Sequence, residues 1–146
     1  MLWVRLQLYL AALWWGGLTV VGLIVVPTLF MMIEPTALAG QVAARLFSSM
    51  CWLGLISGLM LLLAGRRTAG EHAYRPSAWI LLAMLAALLL EVAVAPRIVA
   101  RENLMLWHNV GTALYALQWL AVGRWLWTWS IRPAASGQAE PATTNE

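Results

Sequence analysis

The chain has 146 residues, of which 62% are hydrophobic and 10% are charged, and its formal net charge is +3. Soluble domains carry roughly 25% charged residues, so this composition excludes an ordinary soluble protein. All basic residues are arginines, placed singly or in one pair. Without a basic stripe, nucleic acid is not an expected partner. The single cysteine, Cys51, excludes an intramolecular disulfide.

The charged residues leave four apolar windows, each long enough for a membrane span, which needs roughly 20 apolar residues. Their runs of Leu, Ala and Val lack the alternation of a barrel strand, so the spans are predicted to be helices. We therefore predict an all-α, polytopic membrane protein in which residues 1–132 form a bundle of four transmembrane helices. The predicted spans are residues 6–30, 46–65, 76–98 and 104–130. The polar segment 133–146 is predicted to be a disordered cytoplasmic tail.

Proline positions refine the first two spans. Pro27, near the outer end of the first span, predicts a kink or the start of the chain's exit from the membrane. Pro35 predicts a helix start, and the stretch without proline after it predicts one helix from Pro35 to Gly65, ~46 Å long. Within that helix, Gly54 and Gly58 are spaced for close approach of a neighbouring helix.

Arginine and tryptophan positions predict the orientation. A cytoplasmic N-terminus places more arginines inside than outside, so the positive-inside rule predicts that both termini are cytoplasmic. The polar segment 66–75 is then a cytoplasmic loop. Tryptophans near the span ends are expected at the membrane interfaces. They are Trp3, Trp79, Trp107, Trp125, Trp127 and Trp129.

Two pairs of short segments relate the halves of the chain. Residues 25–29 (VVPTL) resemble residues 94–98 (VAPRI), and residues 42–47 (VAARLF) resemble residues 110–115 (VGTALY), at offsets of 69 and 68. Matches between apolar residues arise easily, so chance similarity and a repeat of two parallel helical hairpins both remain open. A true repeat relates the halves by an axis along the membrane normal, with a site expected at their interface.

Several short motifs lie along the spans: Gly16-Gly17, residues 26–30 (VPTLF), Leu38-Ala39-Gly40, Leu46-Phe47, and a histidine that opens the last span with Tyr115 after it. Over residues 14–125 the chain resembles a bacterial four-span membrane domain of unknown function related to the eukaryotic transmembrane protein 205 family. The resemblance implies a four-helix membrane bundle and no established reaction. In that family the last span tends to open with His-Gly and a nearby serine, where this chain has His108-Asn109 and Thr112.

Glu91 is the one charged residue inside the third window, about 18 Å from Trp79 along a helix. An intramembrane carboxylate is costly unless it is protonated, paired or hydrated, and such groups mark candidate functional sites. Two interpretations stay open. Glu91 is either a structural, protonated carboxyl bonded to Thr112 or Tyr115, or a group that handles protons or substrate.

A polar seam is predicted on the last span, because His108, Thr112 and Tyr115 share one helical face. Two interpretations of His108 stay open. In the functional one, His108 is a metal or haem ligand, or a proton relay that feeds Glu91. In the other, it is an interfacial histidine bonded to a carbonyl group.

The outer end also carries methionines and an arginine. Copper(I) accepts thioether and imidazole ligands, so Met31, Met32 and Met105 are candidate ligands together with His108. Methionine is equally ordinary in apolar helices. Arg97 either grips an anionic lipid or substrate, or extends its charge to the headgroups.

No glycine-rich nucleotide loop, nucleophile and base pair, or Cys/His cluster occurs in the sequence. The leading hypothesis is a non-enzymatic transport or accessory component of the bacterial inner membrane, with no cofactor. Its expected partners are the lipid bilayer and a homo-oligomer or membrane complex. The alternative is a membrane redox or metal-binding protein that uses His108 with Glu91 and holds haem or copper.

Overall fold

The computed structural model describes residues 2–69 and 77–130, and these residues fold as helices joined by short turns. The elements are α1 (Leu2–Val20), a first π-helical turn (Val21–Val25), α2 (Val26–Met32), α3 (Thr36–Ala69), α4 (Ala78–Leu89), a second π-helical turn (Leu90–Val94), α5 (Ala95–Val99) and α6 (Leu104–Ser130). Residues 2–69 are named the N-terminal hairpin and residues 77–130 the C-terminal hairpin. The predicted all-α class is confirmed.

Three helical stretches are long and apolar enough to cross a membrane: Leu2–Met32, Thr36–Thr68 and Ala78–Val99. The chain is therefore a membrane-embedded helical protein. Helix α6 has the length of a span, at 27 residues. It falls short in hydropathy because it carries an arginine, a histidine, a glutamine and several tryptophans. It packs along both α4 and α1, so the two hairpins adjoin in one bundle.

One boundary of the predicted cytoplasmic loop, its start at residue 66, can be compared with the structure. Helix α3 continues beyond Gly65 through Arg66 and Arg67 to Ala69, so the loop does not begin at residue 66. Both arginines fall in the last turn of the helix, where cations interact favourably with the helix dipole. The remainder of that loop and the predicted tail 133–146 lie outside the described residues.

Each of the prolines near the outer span ends follows a π-helical turn. In a regular α-helix a proline ring collides with the carbonyl four residues earlier, and the ring nitrogen donates no hydrogen bond. In the first widened turn the Val26 N–H bonds to the Val21 carbonyl, five residues back. In the second, the Ala95 N–H bonds to the Leu90 carbonyl in the same way. The helix thus continues past Pro27 as α2, and the predicted alternative of an exit there is wrong.

The two hairpins share their order of elements. The π-helical turns lie 69 residues apart, at the offset found in the sequence. Phe47 on α3 and Tyr115 on α6, which the sequence pairs at an offset of 68, pack edge to face with ring centroids 5.1 Å apart. Equivalent residues meet in this way where a two-fold axis passes between them. Both features support the predicted repeat of parallel hairpins.

A core of small residues and tryptophan joins the helices. Trp14 of α1 is fully buried, and a Cβ added at Gly54 of α3 would lie 2.6 Å from Trp14 Nε1. Glycine is therefore needed there for close helix packing. Trp125 is only 7% exposed, because it shares the buried face of α6 with Ala121. Its indole therefore packs inside the bundle, whereas that of Trp127 is 66% exposed, and the predicted depth of both at the membrane interface stays a prediction.

Tyr115 packs against the first π-helical turn. Its hydroxyl donates a 2.8 Å hydrogen bond to the carbonyl oxygen of Leu18, near the end of α1. The ring lies over Gly22, where an added Cβ would come within 2.8 Å of Tyr115 Cε1. The absence of a side chain at Gly22 therefore permits this contact between the hairpins.

We expect Gly22→Ala to destabilise the bundle by about 1 to 3 kcal/mol, the usual cost of forcing extra volume into a packed interior. Gly16→Ala is the matched control, because no heavy atom lies within 4 Å of a Cβ at Gly16. Denaturation in mixed micelles, followed by circular dichroism, measures both. Equal free energies of unfolding for the two variants would contradict the packing of Tyr115 on Gly22.

Candidate functional site

The main candidate site is the carboxyl group of Glu91, in the second π-helical turn. Ser48 Oγ of α3 donates a 2.7 Å hydrogen bond to Glu91 Oε1. Glu91 Oε2 is buried and has no hydrogen-bond partner among residues 2–69 and 77–130. One carboxyl oxygen thus links the two hairpins, while the other remains available to a proton, a water molecule or a cation.

A thiol lies beside this carboxyl group. Cys51 follows Ser48 by three residues on α3, so the two side chains share one helical face. Cys51 is 3% exposed, and it is close enough to Glu91 for an electrostatic interaction. We call Ser48, Cys51 and Glu91 the Glu91 cluster. It is a small polar group at the contact between α3 and the second π-helical turn.

The partners predicted for Glu91 bond elsewhere. Thr112 Oγ1 donates a 2.9 Å hydrogen bond to the carbonyl of His108 on its own helix, and Thr112 is exposed. Tyr115 donates to Leu18 in the other hairpin. A hydroxyl on a helix readily bonds the carbonyl one turn earlier, which accounts for Thr112. The prediction that Thr112 or Tyr115 bonds Glu91 is therefore wrong.

The predicted polar seam on α6 does not enter the bundle as a unit. His108 and Thr112 are exposed and only Tyr115 is half-buried, although their spacing places them on one side of the helix. Met31, Met32 and Met105 are also exposed, at 78–79%. Within the part of the chain that the structure describes, no three His, Cys, Asp or Glu side chains group as metal ligands.

Arg97 is held by its own hairpin. Its Nη1 donates a 2.6 Å hydrogen bond to the carbonyl of Ala93, one turn earlier. Its guanidinium carbon lies 4.4 Å from the centre of the Trp107 ring, where the quadrupole of the indole attracts a cation. The guanidinium group therefore has two partners in the C-terminal hairpin, and neither is Glu91.

A second group of buried polar atoms lies around Gly54. Gln118 of α6 is fully buried, and neither polar atom of its side chain has a partner in the described residues. Trp14 Nε1 is likewise unpartnered there. A Cβ at Gly54 would lie 2.6 Å from Trp14 Nε1 and 2.9 Å from Gln118 Nε2. Rotating the Gln118 amide by half a turn would direct its oxygen, a hydrogen-bond acceptor, towards the side on which Trp14 Nε1 lies.

Sequence reasoning missed Ser48 and Gln118. Polar side chains in an apolar helix commonly bond across to a neighbouring helix, and this was the available signal. The partner of Ser48 could not be inferred because Glu91 is 43 residues away along the chain and belongs to the other hairpin.

A family model described as a domain of unknown function, DUF4149, matches residues 9–105. The chain belongs to the DUF4149 family. The matched residues include Gly22, Ser48 and Glu91 and end before His108 and Tyr115. No curated protein and no solved structure matches the chain. The predicted domain of unknown function is thus confirmed, and its relation to the transmembrane protein 205 family stays a prediction.

For this DUF4149 protein we expect Ser48→Ala to lower the free energy of unfolding by about 0.5 to 2 kcal/mol, the range for hydrogen bonds between membrane helices. Ser49→Ala is the matched control, because Ser49 bonds only the Arg45 carbonyl of its own helix. In a Glu91→Leu background, Ser48→Ala should cost nothing further. A full additional loss in that background would show that Ser48 stabilises the bundle independently of Glu91.

Proposed function

We propose that the protein is a non-enzymatic transport or accessory component of the bacterial inner membrane, in which Glu91 binds and releases a proton. The observation that carries this proposal is the bond between Ser48 and Glu91 at the contact of the two hairpins. The second carboxyl oxygen is buried without a partner in the described residues. The resemblance to the transmembrane protein 205 family implies the same four-helix bundle, and it implies no established reaction.

The surroundings of Glu91 favour exchange of a proton over a fixed ion pair. An ionised carboxyl in apolar surroundings is costly when no cation is near. Arg97 lies one and a half turns further along the helix, but its guanidinium bonds the Ala93 carbonyl and stacks on Trp107. A proton can reach Oε2 without displacing any described hydrogen-bond donor.

Proton binding at Glu91 changes a contact between the hairpins. An ionised carboxylate only accepts hydrogen bonds, whereas the protonated group also donates one. Bonds to an ionised group are roughly twice as strong as bonds between neutral groups. Protonation therefore weakens the bond that Ser48 makes across the hairpin interface. Transporters built from two repeats work by movement of one repeat against the other around a site at their interface.

The proposal includes four spans, with α6 as the fourth and both termini in the cytoplasm. Helix α6 is 27 residues long, or ~40 Å, and it packs along α1 and α4. Gln7 donates to Thr68, so the start of α1 lies beside the end of α3. Arg124 of α6 lies over Trp79 at the start of α4. This end carries Arg5, Arg66, Arg67 and Arg124, as the positive-inside rule requires of the cytoplasmic side.

Labelling of single cysteines tests this topology. In a Cys51→Ala background we expect a membrane-impermeant maleimide to label Asn103→Cys in intact cells. Ser77→Cys, or a cysteine appended at the C-terminus, should be labelled only after permeabilisation. Labelling of the C-terminal cysteine in intact cells would mean that α6 does not cross the membrane.

Proton movement through proteoliposomes tests the role of Glu91. With a membrane potential imposed and a pH-sensitive dye enclosed, we expect the wild-type protein to carry protons faster than protein-free vesicles. Glu91→Gln should reduce this flux at least about tenfold while the protein stays folded, because glutamine cannot exchange the proton. Glu102→Gln is the matched control, because Glu102 lies in the exposed turn before α6. A wild-type flux equal to that of empty vesicles would overturn proton transport, and unchanged flux in Glu91→Gln would exclude Glu91.

A further inference from the structure

An apolar groove runs along the outside of the bundle between α1 and α6. It encloses about 320 Å³. We call it the indole groove, and it is lined by Trp15, Trp119, Leu120, Gly123, Arg124 and Trp127. It belongs to neither the Glu91 cluster nor the polar atoms around Gly54.

The floor of the indole groove is fixed before any ligand arrives. Trp15 and Trp119 stack with centroids 5.3 Å apart and an angle of 26° between their planes. Trp119 Nε1 donates a 2.8 Å hydrogen bond to Thr19 Oγ1. The Thr19 hydroxyl in turn donates a 2.8 Å hydrogen bond to the backbone carbonyl of Trp15. The Trp119 indole is therefore held by a hydrogen bond, and the Trp15 indole by its stacking on Trp119. An apolar chain that packs on these two rings loses little entropy to reorganisation.

One cation lies at the rim of the groove. Arg124 is exposed, and its guanidinium lies 5.9 Å from the centre of the Trp79 ring. It forms no ion pair with a carboxylate among the described residues. A guanidinium group offers paired N–H donors that match the oxygens of a phosphate. The rim can therefore bind an anionic headgroup while the floor accepts an apolar chain.

The charge of this end of the bundle agrees with an anionic occupant. The described carboxylates lie elsewhere: Glu34 and Glu102 are in the turns at the opposite end, and Glu91 is in the second π-helical turn. Arg5 and Arg67 lie at the same end as Arg124, and Arg67 stacks over Trp3. Basic residues near a membrane surface attract anionic lipids.

We propose that the indole groove is a binding site for an anionic phospholipid, with its phosphate on Arg124 and an acyl chain over Trp15 and Trp119. From Trp127 to Leu120 the groove follows α6 for seven residues, or ~10 Å, which suits a chain that extends from the headgroup towards the middle of the bilayer. The apolar floor distinguishes this ligand from free phosphate, which gains nothing from stacked indoles.

Native mass spectrometry of the detergent-solubilised protein tests the headgroup contact. Phosphatidylglycerol and phosphatidylcholine with identical acyl chains are titrated separately. We expect phosphatidylglycerol to bind at least about tenfold more tightly, and Arg124→Gln to abolish that difference, because one charge-assisted contact is lost. Arg124→Lys should keep most of the preference. Arg5→Gln, at the same end of the bundle, is the matched control and should behave as wild type.

A second pair of variants tests the floor of the groove. Leu120 lines the groove and is 59% exposed, so Leu120→Trp should occupy it and weaken phosphatidylglycerol binding several-fold without disturbing the core. Leu117→Trp, one turn away and outside the groove, should leave phosphatidylglycerol binding unchanged. Equal affinity for both lipids in the wild type, or an unchanged preference in Arg124→Gln, would overturn the proposal. Equally tight binding of glycerol phosphate would show that the site binds a phosphate group and not a lipid.

Discussion

The conflict between proline and α-helical hydrogen bonding shapes both hairpins. Pro27 and Pro96 each require that the carbonyl four residues earlier move aside. Both helices respond in the same way, by widening the preceding turn to the π-helical pattern at Val21–Val25 and Leu90–Val94. A widened turn interrupts the regular ladder of backbone bonds at a depth where lipid supplies no substitute partners. The other hairpin approaches both turns closely: Tyr115 donates to the Leu18 carbonyl just before the first turn, and Ser48 donates to the Glu91 carboxyl group in the second.

The close approach of the hairpins depends on small residues. Gly54 faces the buried indole of Trp14, and Gly22 faces the ring of Tyr115, each with less than 3 Å for an added Cβ. Lipid tails are as apolar as leucine, so membrane helices gain little from hydrophobic burial and associate through packing and hydrogen bonds. The paired rings of Phe47 and Tyr115 complete the contact between α3 and α6.

The sequence predicted the helices better than their faces. Uncharged windows determine helices in lipid because no other open structure satisfies the backbone, and the two prolines marked where those helices deviate. The faces were harder to predict because lipid and core select the same apolar residues. On α6 the sequence predicted that His108, Thr112 and Tyr115 share one face, but it did not show that the first two are exposed and only Tyr115 is half-buried. The Ser48 partner was missed because it depends on how separate hairpins dock.

The two π-helical turns differ in the polar group that forms the contact with the other hairpin. At the offset of 69 residues, Glu91 stands where the first turn has Gly22, and at the offset of 68, Phe47 stands where α6 has Tyr115. The Tyr115 ring of the other hairpin thus lies over the glycine of the first turn, and its hydroxyl donates to the Leu18 carbonyl just before that turn. Phe47 has no hydroxyl, so at the second turn the polar contact comes from Glu91 itself and Ser48. Only the second contact contains a carboxyl group, so a change of charge at Glu91 acts at the second turn and not at the first.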